Sequence, residues 1–183
     1  MAGKAAATGH AGEIAIEPLD AAAFAPFGEV LELGPEPSVT INRGRCGRHH
    51  DLATLDFVEG GTAGISLFDG TPYALPHRLD LVERHPLGSQ AFLPMSTDPF
   101  LVICCEDAGG TPVRPRAWLT NGRQGVNYAR GTWHGVLTPL ARPALFTVVD
   151  RVGGSGSNLE EHVLAPPFRI VDAHGIVPGA QRP

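Results

Sequence analysis

The sequence predicts an all-β domain, a barrel or sandwich of short strands with almost no helix. Three observations lead there. Apolar and polar residues alternate with a period of two over about ten short segments. Turn signals such as Asp69-Gly70-Thr71-Pro72, Gly109-Gly110, Asn121-Gly122 and Gly131 separate nearly all of them. The 23 glycines and 17 prolines are spread along the chain without repeats, which is the punctuation that many short strands need.

The elements follow in order. Residues 1–12 are rich in Ala and Gly, carry one Lys and lack an apolar stretch, so they read as a disordered tail rather than a secretory signal. Pro18 to Phe24 reads as a short helix with Asp20 as N-cap, ended by Pro26 and Gly28. Strands are expected at Glu29–Leu33, Val39–Asn42, Leu52–Phe57, Gly64–Phe68 and His77–Arg84. Further strands are expected at Gln90–Met95, Phe100–Cys105, Arg116–Thr120, Val126–Ala129, Thr132–Leu137 and Ala144–Asp150. Gly153 to Ser157 is a flexible spacer. The main domain is placed at 13–161. Glu160 to Pro183, with Pro166-Pro167 inside, is expected to be either a short helix plus an extended arm or largely disordered, and the C-terminal arm is placed at 162–183.

With 183 residues, the chain suits one domain with a full core. A net charge of −5 without a basic stripe argues against nucleic acid. No apolar run approaches the roughly 18 residues of a membrane span. The cysteines are Cys46, Cys104 and Cys105; an odd count with two adjacent makes no disulfide framework and points to a reducing cytoplasm.

Chemistry concentrates in two blocks, Glu83 to Pro94 and Gly125 to His134. Glu83 and His85 share one face of a strand because side chains alternate. Gln90 follows five residues later, and His134 arrives through a glycine turn. Two imidazole nitrogens and two hard oxygens suit Mn²⁺, Ni²⁺, Fe²⁺ or Zn²⁺. A polar pocket without metal would use the same side chains. Arg48 and His50 lie in a polar run, and the fork of an arginine matches a carboxylate. Asn42, Asn127 and Tyr128 offer amide and hydroxyl contacts, each also explicable as a turn or strand-end hydrogen bond.

These blocks resemble the two motifs of the cupin fold, a double-stranded β-barrel, here with a short N-terminal helix. Glu83 and His85 fall on its paired histidines, Gln90 on its carboxylate, and Ala129-x-Gly131-x-x-His134 on its closing Pro-x-Gly-x-x-His. The first histidine has become Glu and the carboxylate Gln. Over Leu19 to Glu161, the segments Ile41-Asn42, Arg48 to Ala53, Glu83 to Met95, Thr120 to Tyr128 and Trp133-His134 resemble the ureidoglycolate lyase family.

That resemblance implies a cytoplasmic enzyme of allantoin and purine degradation that releases urea from ureidoglycolate and leaves glyoxylate. It implies a small-molecule substrate, no organic cofactor and a homodimer; a divalent metal, where one is bound, would be held by Glu83, His85, Gln90 and His134. The reaction needs a group to take the hydroxyl proton, one to hold the carboxylate, and one to serve the leaving urea. His50 would handle the proton beside a metal; without one, His85 or His134 would be the base and Glu83 would position it. Arg48, Asn42, Asn127 and Tyr128 would bind substrate. Two alternatives stay open: a sensor that binds a small acid without turnover, and a hydrolase that releases ammonia.

Overall fold

A computed structural model describes residues 12–179. Its strands form two sheets and a separate hairpin. The larger sheet contains β1 (Gly12–Pro18), β6 (His77–Arg84), β8 (Phe100–Asp107), β9 (Pro112–Leu119), β11 (Trp133–His134), β12 (Thr138–Pro139) and β14 (Glu160–Val171). β11 pairs with both β6 and β8, which closes a six-strand ring in the order β6-β14-β1-β9-β8-β11. The second sheet has the order β2 (Gly28–Leu31), β10 (Gly125–Tyr128), β7 (Gln90–Pro94), β13 (Leu145–Val152) and β5 (Thr62–Asp69). The architecture is all-β and cupin-like.

Two cores hold it together. Leu101, Ile103 and Cys105 of β8 pack with Ile14, Ile16 and Ile170 in one. The alternate residues Phe100, Val102 and Cys104 pack with Trp118, Phe92, Val126 and Val148 in the other, against the second sheet. β8 is therefore apolar without alternation because both of its faces are buried. The helical turn α1 (Ala21–Phe24) is capped as expected: the Asp20 carboxylate accepts the Ala23 N–H at 2.9 Å. Fully buried Phe24 meets Trp118 edge to face.

The strand expected at Thr132–Leu137 shrinks to Trp133–His134, and three larger departures bear on the fold. Residues 160–171 are neither helix nor loose arm; β14 pairs with β6 and, in parallel, with β1. The boundary placed at 162 falls inside this strand. Prolines 166 and 167 interrupt the ladder, because proline donates no N–H, and the register shifts between Val163 and Phe168. The Gly12 end of the expected tail starts β1; the remainder of that tail lies outside the described residues. Leu52 to Phe57 contributes one bridge, Phe57 to Gly88, instead of a strand. The segment crosses the second sheet's outer face, where its Thr54 carbonyl receives the Asn127 amide.

Candidate active site

The site grows from the paired ends of β6 and β11. Glu83 and His134 are directly opposite in register, and the N–H of Gly131 donates to the carbonyl of His85 at 2.9 Å. Gly131 has φ +81°, a conformation that favours glycine, so the turn that delivers His134 is fixed by that residue. Donor atoms of Glu83, His85 and His134 all lie within 4.8 Å of one another. Glu83 Oε1 is 4.0 Å from His85 Nε2.

Both imidazoles are oriented by main-chain carbonyls. His85 Nδ1 is 2.6 Å from the carbonyl of Asn158, and His134 Nδ1 is 2.9 Å from that of Gly135. Only a protonated Nδ1 can donate there, and in the neutral ring that tautomer leaves the lone pair on Nε2. Neither Nε2 has a protein partner, although both atoms are buried. Burial and, secondarily, His85 hold the His134 pKa down at about 3, so its ring is neutral; its own bond to Gly135 opposes the shift. Burial raises the Glu83 pKa, His85 pulls it back, and Glu161 pushes it further up. Burial also pushes the Tyr128 phenol well above its ordinary range, with Cys104 and Glu83 adding to the shift, so the hydroxyl stays protonated.

A cleft of about 600 Å³ reaches Glu83 and Gln90 between Phe68, Tyr73, Phe92 and Leu137. Gln90 is 6 % exposed. It sits opposite Tyr128 in the pairing of β7 with β10.

The other sequence-predicted residues fall elsewhere. Asn127 alternates with Tyr128, so it faces the opposite side of its sheet and is bonded to Glu29 and the Thr54 carbonyl. Arg48 ends the exposed hairpin of β3 (Val39–Ile41) and β4 (Cys46–Arg48). Asn42 opens that hairpin's turn with φ 54°, the left-handed conformation that asparagine tolerates. His50 lies just beyond, 3.5 Å from the Asp51 carboxylate. None of these four is brought to the Glu83–His85–His134 cluster. Two residues beside the cluster escaped the sequence reading. Asn158 acts through its main-chain carbonyl, which no side-chain pattern reveals. Asp150, whose Oδ2 is 3.5 Å from Gln90 Nε2, comes from a strand with no motif.

Comparison with known proteins gives the same answer from another direction. The family model described as ureidoglycolate lyase matches residues 11–171. The chain belongs to the ureidoglycolate lyase family. It is 59 % identical over 155 residues to the ureidoglycolate lyase of Rhodobacter capsulatus, covering 85 % of this chain and 96 % of that protein. It is 52 % identical over 159 residues to the ureidoglycolate lyase of Chelativorans, covering 86 % of this chain and 96 % of that one. The Mesorhizobium japonicum ureidoglycolate lyase is 50 % identical over 159 residues, with the same two coverages. All of the cluster and both walls of the cleft fall within the part matched to the ureidoglycolate lyase family.

Proposed function

We propose that this chain releases urea from ureidoglycolate and leaves glyoxylate, within allantoin breakdown. The observation that carries the reading is the convergence of Glu83, His85 and His134 beside a cleft, in a member of this family. A divalent cation fits these residues: two buried Nε2 atoms lack partners, both rings are held from behind by carbonyls, and a carboxylate stands beside them. His85, His134 and Glu83 would hold it. When bound, it supplies Lewis acidity and the positive charge that the cleft walls, with Glu83 and Asp69 among them, do not provide.

Glu83 reaches the cleft wall, and a carboxylate oxygen that the cation would leave free can act as general base there. We assign it the substrate hydroxyl proton, in place of His50. As the hydroxyl oxygen becomes a carbonyl, the C–N bond breaks and its electron pair goes to nitrogen, which takes up that proton. Tyr128, kept protonated and stacked on His134, would offer the leaving urea a hydrogen bond and gives up no proton. The substrate carboxylate is assigned to Arg48. Arg84, Arg116, Arg130 and Arg151 are engaged with carboxylates or main-chain carbonyls, whereas Arg43, Arg45 and Arg48 are unpaired on one hairpin among the described residues. Unpaired charge within the Arg48-His49-His50-Asp51 block that resembles the family, not proximity, supports this assignment over the equally unpaired Arg123.

Incubation with ureidoglycolate, with separate assays for urea and ammonia, tests the reading. Urea in step with glyoxylate is expected; ammonia, or binding without turnover, overturns it.

A homodimer in the cytoplasm completes the proposal. In register across β7, β13 and β5, Leu93, Thr147 and Leu67 form one outward row, with Val149 and Ile65 beside it. Ile65 is 77 % and Leu67 65 % exposed. A contiguous apolar sheet face of this kind marks an association surface. Light scattering is expected near twice the 19.3 kDa of the chain. Cys46 is exposed and free, which suits a reducing compartment. No described helix is long and apolar enough to cross a membrane.

A further inference from the structure

We propose that Asp150 orients the Gln90 side chain so that its carbonyl oxygen serves as the acceptor for an N–H of the ureido group. The inference rests on the ureidoglycolate reading of the cleft and adds a specificity device to it. Asp150 and Gln90 stand on neighbouring strands of the second sheet, β13 and β7. Gln90 Nε2 donates to Asp150 Oδ2 at 3.5 Å. An ionised carboxylate only accepts, so the two ends of the Gln90 amide are not interchangeable beside it. Nε2 must face Asp150, and Oε1 is left over. That oxygen is buried and has no partner, while the residue lines the cleft beside Glu83.

A buried acceptor without a donor is costly, and a ligand that brings an N–H removes that cost. The ureido group carries three such hydrogens. A glutamate at position 90 would put two carboxylates side by side and add negative charge against an anionic substrate. Glutamine avoids both and still offers an acceptor. Asp150 is therefore a positioning residue, and Gln90 the recognition residue it sets. Discrimination of this kind is strong, because an analogue without the N–H leaves the acceptor buried and unpaired.

The test compares two carboxylates of the same shape. N-carbamoylglycine carries the ureido group; levulinate replaces its NH₂ and NH by CH₃ and CH₂. Because both are anions, the ratio of their dissociation constants cancels the general effect of removing a charge. Wild-type protein is expected to favour N-carbamoylglycine by about tenfold or more in calorimetry. Asp150→Leu should remove most of that preference, and Asp150→Asn, which still offers an acceptor to Nε2, should restore much of it. Gln90→Met should abolish it, which keeps the test decisive if Asp150→Leu does not fold. Ni²⁺ binding to the same variants should be unchanged. A preference that survives in Asp150→Leu and Gln90→Met overturns the inference, as does wild-type protein without preference. Loss of Ni²⁺ affinity in step with the preference would make Gln90 a cation ligand and also overturns it. Urea release by the wild type, measured in parallel, separates the two readings: urea with an unmoved ratio sinks the Gln90 assignment alone, whereas no urea sinks the functional reading and this inference with it.

Discussion

The phenol of Tyr128 lies flat on the imidazole of His134, with ring centroids 4.2 Å apart and planes 2° from parallel. His85 stands on the same imidazole, its centroid 5.3 Å away and tilted by 40°. Together with the Gly135 carbonyl at Nδ1, the stack leaves His134 little freedom to turn its Nε2 away from the cluster. Tyr128→Phe keeps the stack and is expected to leave Ni²⁺ or Zn²⁺ affinity within about threefold. Tyr128→Leu removes the flat support, and affinity should fall by roughly ten- to a hundredfold, the usual effect of losing a group that orients a metal-binding side chain. Metal titration of the two variants checks this; equal losses would show that the hydroxyl, not the ring face, is what matters.

His134→Ala removes a donor instead of its support. It should cost more metal affinity than Tyr128→Leu, and kcat should fall far more than KM changes, since the lost interaction serves the reacting centre. Steady-state kinetics with metal in excess give the answer. A variant with normal kcat and raised KM would assign His134 to substrate binding alone.

The same histidine makes the metal-free protein acid-sensitive. Its pKa is about 3 in the folded chain against an ordinary 6.5. Between those values the unfolded chain holds a proton that the folded chain does not, so stability falls as pH drops below 6.5. One proton is worth at most about 1.4 kcal/mol per pH unit, hence about 2 kcal/mol between 6.5 and roughly pH 5. Urea unfolding of chelator-treated protein should show this loss. His134→Gln, which cannot take up the proton, should show a clearly smaller one.

Much of this was legible because strands have a short period. Glu83 and His85 share a face by alternation alone, and Gly131 marks the turn before His134. The same rule misassigned Asn127: it fixed which neighbours alternate but not which face meets the cleft, and the segment covering the outer face has no pattern of its own. β14 was missed because Pro166 and Pro167 read as a break, whereas a bulge absorbs them. Its partners β1 and β6 are far away in sequence, and a parallel pairing leaves no local turn to announce it. Asn158 was out of reach for a different reason. Its carbonyl holds His85 while its side chain accepts the Leu87 N–H at 2.8 Å, and only the folded loop brings the three together.

Arg48 closes the exposed strand Cys46–Arg48. Its side chain is exposed and makes no hydrogen bond or ion pair among the described residues, so Arg48→Ala should not change the melting temperature measurably. A carboxylate substrate needs a fixed positive charge, and a guanidinium binds it through two parallel hydrogen bonds. Losing that contact should raise KM by about ten- to a hundredfold, the equivalent of roughly 1.5–3 kcal/mol for a charged hydrogen bond. Arg48→Lys should recover only part, because an ammonium cannot reproduce the planar fork. Arg123 serves as the control: its main-chain N–H closes the Asn121 turn, and its side chain is likewise unpaired. Arg123→Ala should leave KM unchanged. The hairpin stands apart from the cluster within one chain, so the outcome also bears on assembly. A KM effect at Arg48 requires the hairpin to meet the substrate, by its own movement or across a dimer. Mixing Arg48→Ala with His134→Ala subunits distinguishes these routes. Regained activity in the mixture places Arg48 over the partner's site, whereas no recovery keeps each hairpin with its own barrel, and unchanged KM in Arg48→Ala alone moves the carboxylate to another cation.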